Sequence, residues 1–292
     1  MLIAIYNRVF EIDDVPAFEK LFEELKKRDA KIILFHNLVH QLRNVVPLPD
    51  GYKIFHDDKD LPAETDFIIS MGGDGTILDT VCFVGNKNIP ILGINLGNLG
   101  FLAGTATSEI EYAIDCLEKD KFTKDVRSLL HCDSNKPIFD KNPFALNDFS
   151  IQRKDSSALV KIHTYLNGEF LCTYWADGLI VSTPTGSTGY SLSCGGPIIA
   201  PQADSFMITP VAPHNLNVRP IIIPNDTIVS FEVEGRAKEY LCTLDARTAI
   251  IDSTFSIGIR KENFNITLVR LEGQNFLTTI RNKLYWGLDR RN

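Results

Sequence analysis

The spacing of apolar residues changes near residue 125, and no single-layer or uniform architecture accommodates both halves. Before that point, short apolar runs alternate with helical faces. Met1 to Tyr6, Lys31 to Phe35, Phe67 to Ser70 and Ile91 to Asn95 read as buried strands. Between them, Asp13, Asp14 and Pro16 mark a helix start, and Phe18, Leu21, Phe22 and Leu25 share one helical face. Ser108 and Glu111 have the spacing of a capping box ahead of Ile110, Ile114 and Leu117. Strands alternating with helices call for a mostly parallel sheet covered on both sides. After residue 125 helical periodicity fades. Lys161 to Leu166 and Glu169 to Tyr174 flank Asn167-Gly168, a strong hairpin signal. Further strands are expected over 179–183, 227–234, 239–244 and 265–271, and a helix from Phe276 to Leu288. The expected fold class is an α/β N-terminal domain with a mostly parallel sheet, a β-rich C-terminal domain and a C-terminal helix. The expected divisions are 1–124, 125–270, and a helical tail over 271–292 that packs back on the first domain.

With 44% hydrophobic and 23% charged residues, the composition is that of a globular protein. A net charge of −7 supplies no global field toward nucleic acid or an anionic membrane, and neither is expected as a partner. No apolar stretch approaches the roughly 18 residues that span a bilayer. The first residues lack the basic region of a secretory signal, so the cytoplasm is the expected location. Six scattered cysteines, at 82, 116, 132, 172, 194 and 242, show no metal-ligand spacing and read as small apolar residues in a reducing compartment. No residue is singled out as a metal ligand.

Three clusters carry possible chemistry. Gly72-Gly73-Asp74-Gly75-Thr76 stands at a strand-to-helix turn. Glycines there let backbone N–H groups approach an anion, the following helix adds its positive dipole end, and Asp74 is placed to take a proton from a hydroxyl beside a bound phosphate. A tight turn with an Asp cap accounts for the same residues equally well. Neither a P-loop nor a complete dinucleotide glycine fingerprint is present, so charge on a transferred phosphoryl group falls to backbone amides and Mg²⁺. Gly93 to Leu102 forms a second glycine cluster, read either as a packed strand-ending loop or as a ligand loop at the carboxyl edge of the sheet. Asp177 to Pro197 is dense in hydroxyls and glycines around one aromatic, Tyr190. That suits a sugar and a base better than a core, the alternative being an exposed turn.

Taken together, GGDGT at 72–76, INLGNLGFL at 94–102, Asn147-Asp148 and DGLIVSTPTGSTGYSLSCGGP at 177–197 resemble the NAD kinase family in order and spacing. The resemblance runs from about residue 65 to the 214–220 segment, and more weakly to both ends. It implies phosphoryl transfer from ATP to the adenosine 2′-hydroxyl of NAD with Mg²⁺ or another divalent cation, by a homodimer or homotetramer. It implies that Asp74 is catalytic, with Gly72, Gly73 and Thr76 completing the phosphate loop. It also implies nucleotide contacts at Gly75, Asn147, Asp148, Asp177, Thr185, Thr188, Gly189, Tyr190, Ser191, Leu192, Ser193, Ala212 and Arg247. Asp148 stands where many members have Glu, Gly189 where Ala is more usual, and Arg247 where others carry an amide. Trp175 falls in a stretch linked to phosphate-donor choice, which leaves ATP and polyphosphate both open. Two alternatives remain at this stage: a lipid kinase of the diacylglycerol kinase type, which shares GGDGT, and a non-catalytic dinucleotide sensor. His36, His40, His56, His131 and His163 lie apart and read as structural, and Lys26-Lys27-Arg28 as a helix end. His214, ahead of Asn215 and Arg219 in a loop, has a better claim to line the site. Asp289-Arg290-Arg291 reads as a solvated terminus.

Overall fold

The computed structural model describes residues 1–154, 159–235 and 238–287. It divides into two compact units: Met1–Val126 with Ile266–Asn292, and Arg127–Asn265. Asp289 to Arg291 and the last residue expected of the C-terminal helix, Leu288, lie outside the described residues.

In the first unit five parallel strands run in the spatial order Ile91–Asn95, Phe67–Met71, Leu2–Asn7, Lys31–Phe35 and Lys53–Phe55. Their side chains are shut away on both faces, with Ile3, Ile5, Leu34, Ile68, Ile69 and Leu92 at most 0% exposed. Continuous apolar runs are what such a sheet requires. Helix Val15–Lys27 has Pro at its first turn and buries Phe18, Leu21, Phe22 and Leu25, the stripe expected of it. Helix Ile110–Glu118 buries Ile110, Ile114 and Leu117. The expected cap on this second helix is different: Glu109, not Glu111, reaches back to accept the Ala106 amide at 2.8 Å. Glu111 instead pairs with Lys20 at 2.9 Å, because a cation on the neighbouring helix offers it a stronger partner than a backbone amide. Lys20, Lys27 and Arg28 converge on buried Glu24 and hold its carboxyl down at about 2.

The second unit is a β-sandwich. One antiparallel sheet has the order Ile221–Pro224, Ser205–Val211, Gly178–Ser182, Asp148–Arg153, Tyr240–Leu244, Arg247–Ile251. Facing it are Glu169–Ala176, Val160–Leu166, Val229–Glu234 and the first part of Ser256–Arg270. Ile151, Val181, Phe206 and Ile208 of the first sheet share one core with Ile162, Phe231 and Val233 of the second. Phe149 and Phe231 stack across it, ring centres 5.9 Å apart. The Asn167-Gly168 hairpin forms as expected, both residues at positive φ.

The last strand, Ser256–Arg270, ends in the first unit, where Leu268 pairs in parallel with Ile91. Helix Phe276–Leu284 follows, capped by the Asn275 side chain and stopped by Tyr285 in the left-handed region, short of the expected Leu288. No described helix is long and apolar enough to cross a membrane. Cys116, Cys132 and Cys242 are buried as expected, whereas Cys82, Cys172 and Cys194 are only half-buried.

Candidate functional site

Each unit presents one cluster. In the first, strand Phe67–Met71 ends in Gly72 and Gly73, and helix Asp74–Val84 begins at the acid itself. Of the three glycines, only Gly72 takes positive φ (144°). A Cβ there would meet Thr76 Oγ1 at 2.4 Å. The Thr76 amide donates to the Gly73 carbonyl at 3.0 Å, closing the first turn, and the positive end of the helix dipole lies at this turn, where an anion binds.

The Asp74 carboxylate is held by the second glycine cluster. Oδ2 accepts from the Phe101 amide at 2.8 Å, and Oδ1 accepts from the Leu102 and Ala103 amides at 3.0 Å each. Gly100 lets that loop close: a Cβ on it would sit 1.8 Å from Asp74 Oδ1. Asn95 shapes the approach, donating to the Asn98 carbonyl and accepting from the Gly97 amide. Three N–H donors fix the carboxylate and still leave it acceptor capacity, since two carboxylate oxygens offer about four lone-pair sites.

Sequence reasoning gave the Gly93–Leu102 cluster a place at the sheet edge but not this partner. It also missed Arg8, which follows strand Leu2–Asn7. Arg8 Nε pairs with Asp79 at 3.4 Å, and its Nη1 lies 3.7 Å from where a Gly75 Cβ would be. A cation thus stands beside the GGDGT turn even though no P-loop lysine exists. Among the described residues, no three His, Cys, Asp or Glu side chains converge to form a metal cage.

In the second unit, Asn147 and Asp148 are positioned by the tip of the Tyr240–Leu244/Arg247–Ile251 hairpin. Asp245, at φ 51°, accepts from the amides of Leu146 (2.8 Å), Asn147 (2.8 Å) and Asp148 (3.1 Å). Its own amide donates to the Asp148 carbonyl at 2.9 Å. Arg247 donates from Nη1 and Nη2 to the carbonyls of Asn142 and Phe144. One hairpin therefore grips the chain on both sides of its approach to Asn147. Among the described residues Asn147 Oδ1 is buried without a partner, and an orphaned acceptor of this kind awaits a donor. Burial first, and the Asp245 charge second, push the Asp148 carboxyl up to about 7. Burial likewise raises Asp245, against the pull of its three amides.

The 183–193 segment divides its hydroxyls. Thr183, Ser187 and Ser191 point inward, to the carbonyls of Leu146 and Pro184 and to the Thr209 hydroxyl respectively. Thr185 accepts from Arg127 at 3.0 Å. Gly186 packs so closely that a Cβ would meet the Asn147 carbonyl oxygen at 2.1 Å. Tyr190 remains 40% exposed, its ring free to stack, and Ser193 is exposed. Gly189 lies beside Asn147 and Asp148, its would-be Cβ 3.7 Å from Asp148 Oδ2 and 3.8 Å from Asn147 Nδ2. Asp177 pairs with Arg153 at 2.9 Å. Ala212 is held at φ 44°, an unusual backbone for a non-glycine residue. Trp175 is exposed on strand Glu169–Ala176, Lys161 Nζ lying 5.2 Å from its ring centre, and its backbone bonds to Asn215 and His214.

Two family models match the chain: the ATP-NAD kinase N-terminal domain over residues 20–122 and the ATP-NAD kinase C-terminal domain over residues 146–271. The NAD kinase of Cytophaga hutchinsonii is 44% identical over 293 residues, with 100% of each chain covered. That of Flavobacterium johnsoniae is 41% identical over 294 residues, again with 100% of each covered. Among solved structures, yeast NADH kinase complexed with NADH has a TM-score of 0.89 at 24% identity, covering 99% of this chain and 88% of that one. An NAD kinase from Archaeoglobus fulgidus in complex with ATP has a TM-score of 0.75 at 23% identity, covering 98% of this chain and 99% of that one. These two likenesses establish a common fold.

Proposed function

This chain belongs to the NAD kinase family, and from that premise we propose that it transfers the γ-phosphoryl group of ATP to the 2′-hydroxyl of the adenosine ribose of NAD through Asp74. The chain is an NAD kinase by its full-length relatives, and the lipid-kinase and sensor alternatives receive no support.

The observation that carries the assignment of Asp74 is its triple amide seat at a helix N-terminus. A ribose hydroxyl is a poor nucleophile while it keeps its proton. Asp74 has a lone pair left to take that proton. The 2′-oxygen then forms a bond to the γ-phosphorus as the bond to the β-phosphate oxygen breaks, and ADP leaves. The N-terminal end of helix Asp74–Val84 and the Arg8 guanidinium stabilise phosphate charge beside it. The donor set suits a divalent cation that arrives on the nucleotide phosphates, since Mg²⁺ binds through few carboxylates and no cage is built here. That ion would supply further neutralisation of the phosphoryl oxygens.

Asn147 and Asp148 are assigned to the dinucleotide, with Asn147 Oδ1 as an acceptor for it. Tyr190 supplies a stacking face, and Asp177, Thr188, Gly189, Leu192, Ser193 and Ala212 complete the contacts, while Thr185, Ser191 and Arg247, whose side chains are engaged within the unit, shape the backbone around them. A cytoplasmic homo-oligomer is the working assembly, with ATP as the phosphoryl donor. The decisive test is Asp74→Asn. NADP formation should fall by about 10³-fold or more while NAD still binds. Near-normal turnover in that variant would remove Asp74 from the mechanism.

A further inference from the structure

Two of the three amides that seat Asp74 belong to peptide groups whose other ends are occupied. The C=O of Phe101 and the N–H of Leu102 form one peptide group; the C=O of Leu102 and the N–H of Ala103 form the next. Both N–H groups donate to Asp74 Oδ1. Both carbonyls accept from one guanidinium: Arg270 Nη2 reaches Phe101 O at 3.3 Å, and Nη1 reaches Leu102 O at 3.0 Å. Arg270 is in turn fixed by Asp125, whose Oδ2 lies 3.0 Å from its Nε; the two side chains are 12% and 10% exposed. Gln274 ties the Gly104 carbonyl, two residues further on, at 3.0 Å. All of these residues lie in the first unit.

We propose that Arg270, braced by Asp125, is a positioning residue that acts on Asp74 through two peptide groups, fixing the carboxylate and polarising the amides that hold it. This rests on the reading of Asp74 as the base. A cation at the carbonyl end of a peptide group draws electron density toward itself and makes the N–H end a better donor, and chained hydrogen bonds strengthen one another in this way. The guanidinium suits the task because it is planar and spans two carbonyls while keeping a third edge for a carboxylate. A lysine ammonium, a point charge on a flexible stem, cannot hold that fork. Arg270 itself touches no reacting atom in this scheme, so its removal should lower kcat and leave KM for NAD and for ATP unchanged.

The experiment compares four variants in steady-state NADP formation: D74N, R270K, the neutral pair D125N/R270Q, and the triple D74N/D125N/R270Q. The pair variant neutralises both members of the Asp125–Arg270 ion pair at once, so neither is left facing the loss of the other. Expected is a fall in kcat of about tenfold to a hundredfold for the pair, as a misplaced reacting group costs. R270K should be intermediate, and KM should stay within about twofold of the parent in both. The triple variant should be no slower than D74N alone, because a residue acting through Asp74 has nothing to act on once that carboxylate is gone. Parental kcat in the pair variant, or a loss that multiplies with that of D74N, overturns the proposal. Should the pair variant lack a cooperative melt, R270K decides: a fall in kcat of about threefold or more supports the relay, and parental turnover sinks it. An active D74N would instead indict the base assignment, so the two failures are distinguishable.

Discussion

Gly100→Ala tests the seat of Asp74 without touching the acid. The new methyl carbon would lie 1.8 Å from Asp74 Oδ1, 2.6 Å from Cγ and 3.1 Å from Oδ2. An unforced carbon–oxygen contact is about 3.3 Å, so loop and carboxylate must part by about 1.5 Å. Gly100 does not occupy the left-handed region, so alanine brings no backbone strain and the effect is steric alone. A separation of that size takes amide contacts of 2.8 to 3.0 Å beyond hydrogen-bonding range. Two or three bonds to a charged acceptor, at about 1.5 kcal/mol each, amount to about 3 to 5 kcal/mol lost from the seat. A reacting group displaced by about 1 Å costs about a hundredfold in rate, so kcat should fall at least that far. The assay is NADP formation, with NAD affinity by calorimetry and the melting transition followed alongside. Gly97→Ala in the same loop is the control: its Cβ would meet nothing nearer than Asn95 Oδ1 at 4.0 Å, and activity should be unchanged. If Gly100→Ala turns over within about threefold of the parent, the seat does not govern the chemistry and the argument from geometry fails.

Other residues give separate tests. Asp245→Asn removes part of the seat beneath Asn147 and Asp148, and should raise KM for NAD by about tenfold or more with a smaller change in kcat; unchanged KM would dissociate the hairpin tip from NAD binding. Asp148 is raised to about 7, so the fold prefers its protonated form and loses stability as pH climbs from the ordinary carboxylate range through neutrality. Asp148→Asn should therefore gain stability relative to the parent over that interval, by at most about 4 kcal/mol at about 1.36 kcal/mol per pKa unit, which paired urea titrations at pH 5 and 8 would read. Glu24 is the opposite case: depressed to about 2, it stabilises the fold above the ordinary glutamate range and the benefit is lost as pH falls toward that value. Glu24→Gln should melt below the parent at neutral pH, with the gap closing under acid. Arg8→Ala should raise KM for ATP more than KM for NAD; equal effects would exclude a phosphate role.

The sequence alone determined the change of architecture near residue 125, because the 3.6 and 2.0 periods are local properties of the chain. It located the Asn167-Gly168 hairpin through positive-φ preference, and it set Asp74 between a strand and a helix. It misjudged the cap at Ser108 and Glu111, since Lys20, 91 residues away, competes for the second acid. Tertiary structure alone decided how the functional carboxylates are held. The amides on Asp74 come from 27 to 29 residues downstream, the acid beneath Asn147 from 98 residues downstream, and Arg270 reaches back 168 and 169 residues to the loop that closes on Asp74. Each of those contacts is a backbone group meeting a side chain, and every residue carries the same N–H and C=O. A sequence can name a carboxylate with chemistry to do, but which of its many identical amides will receive it is settled only when the chain has closed on itself.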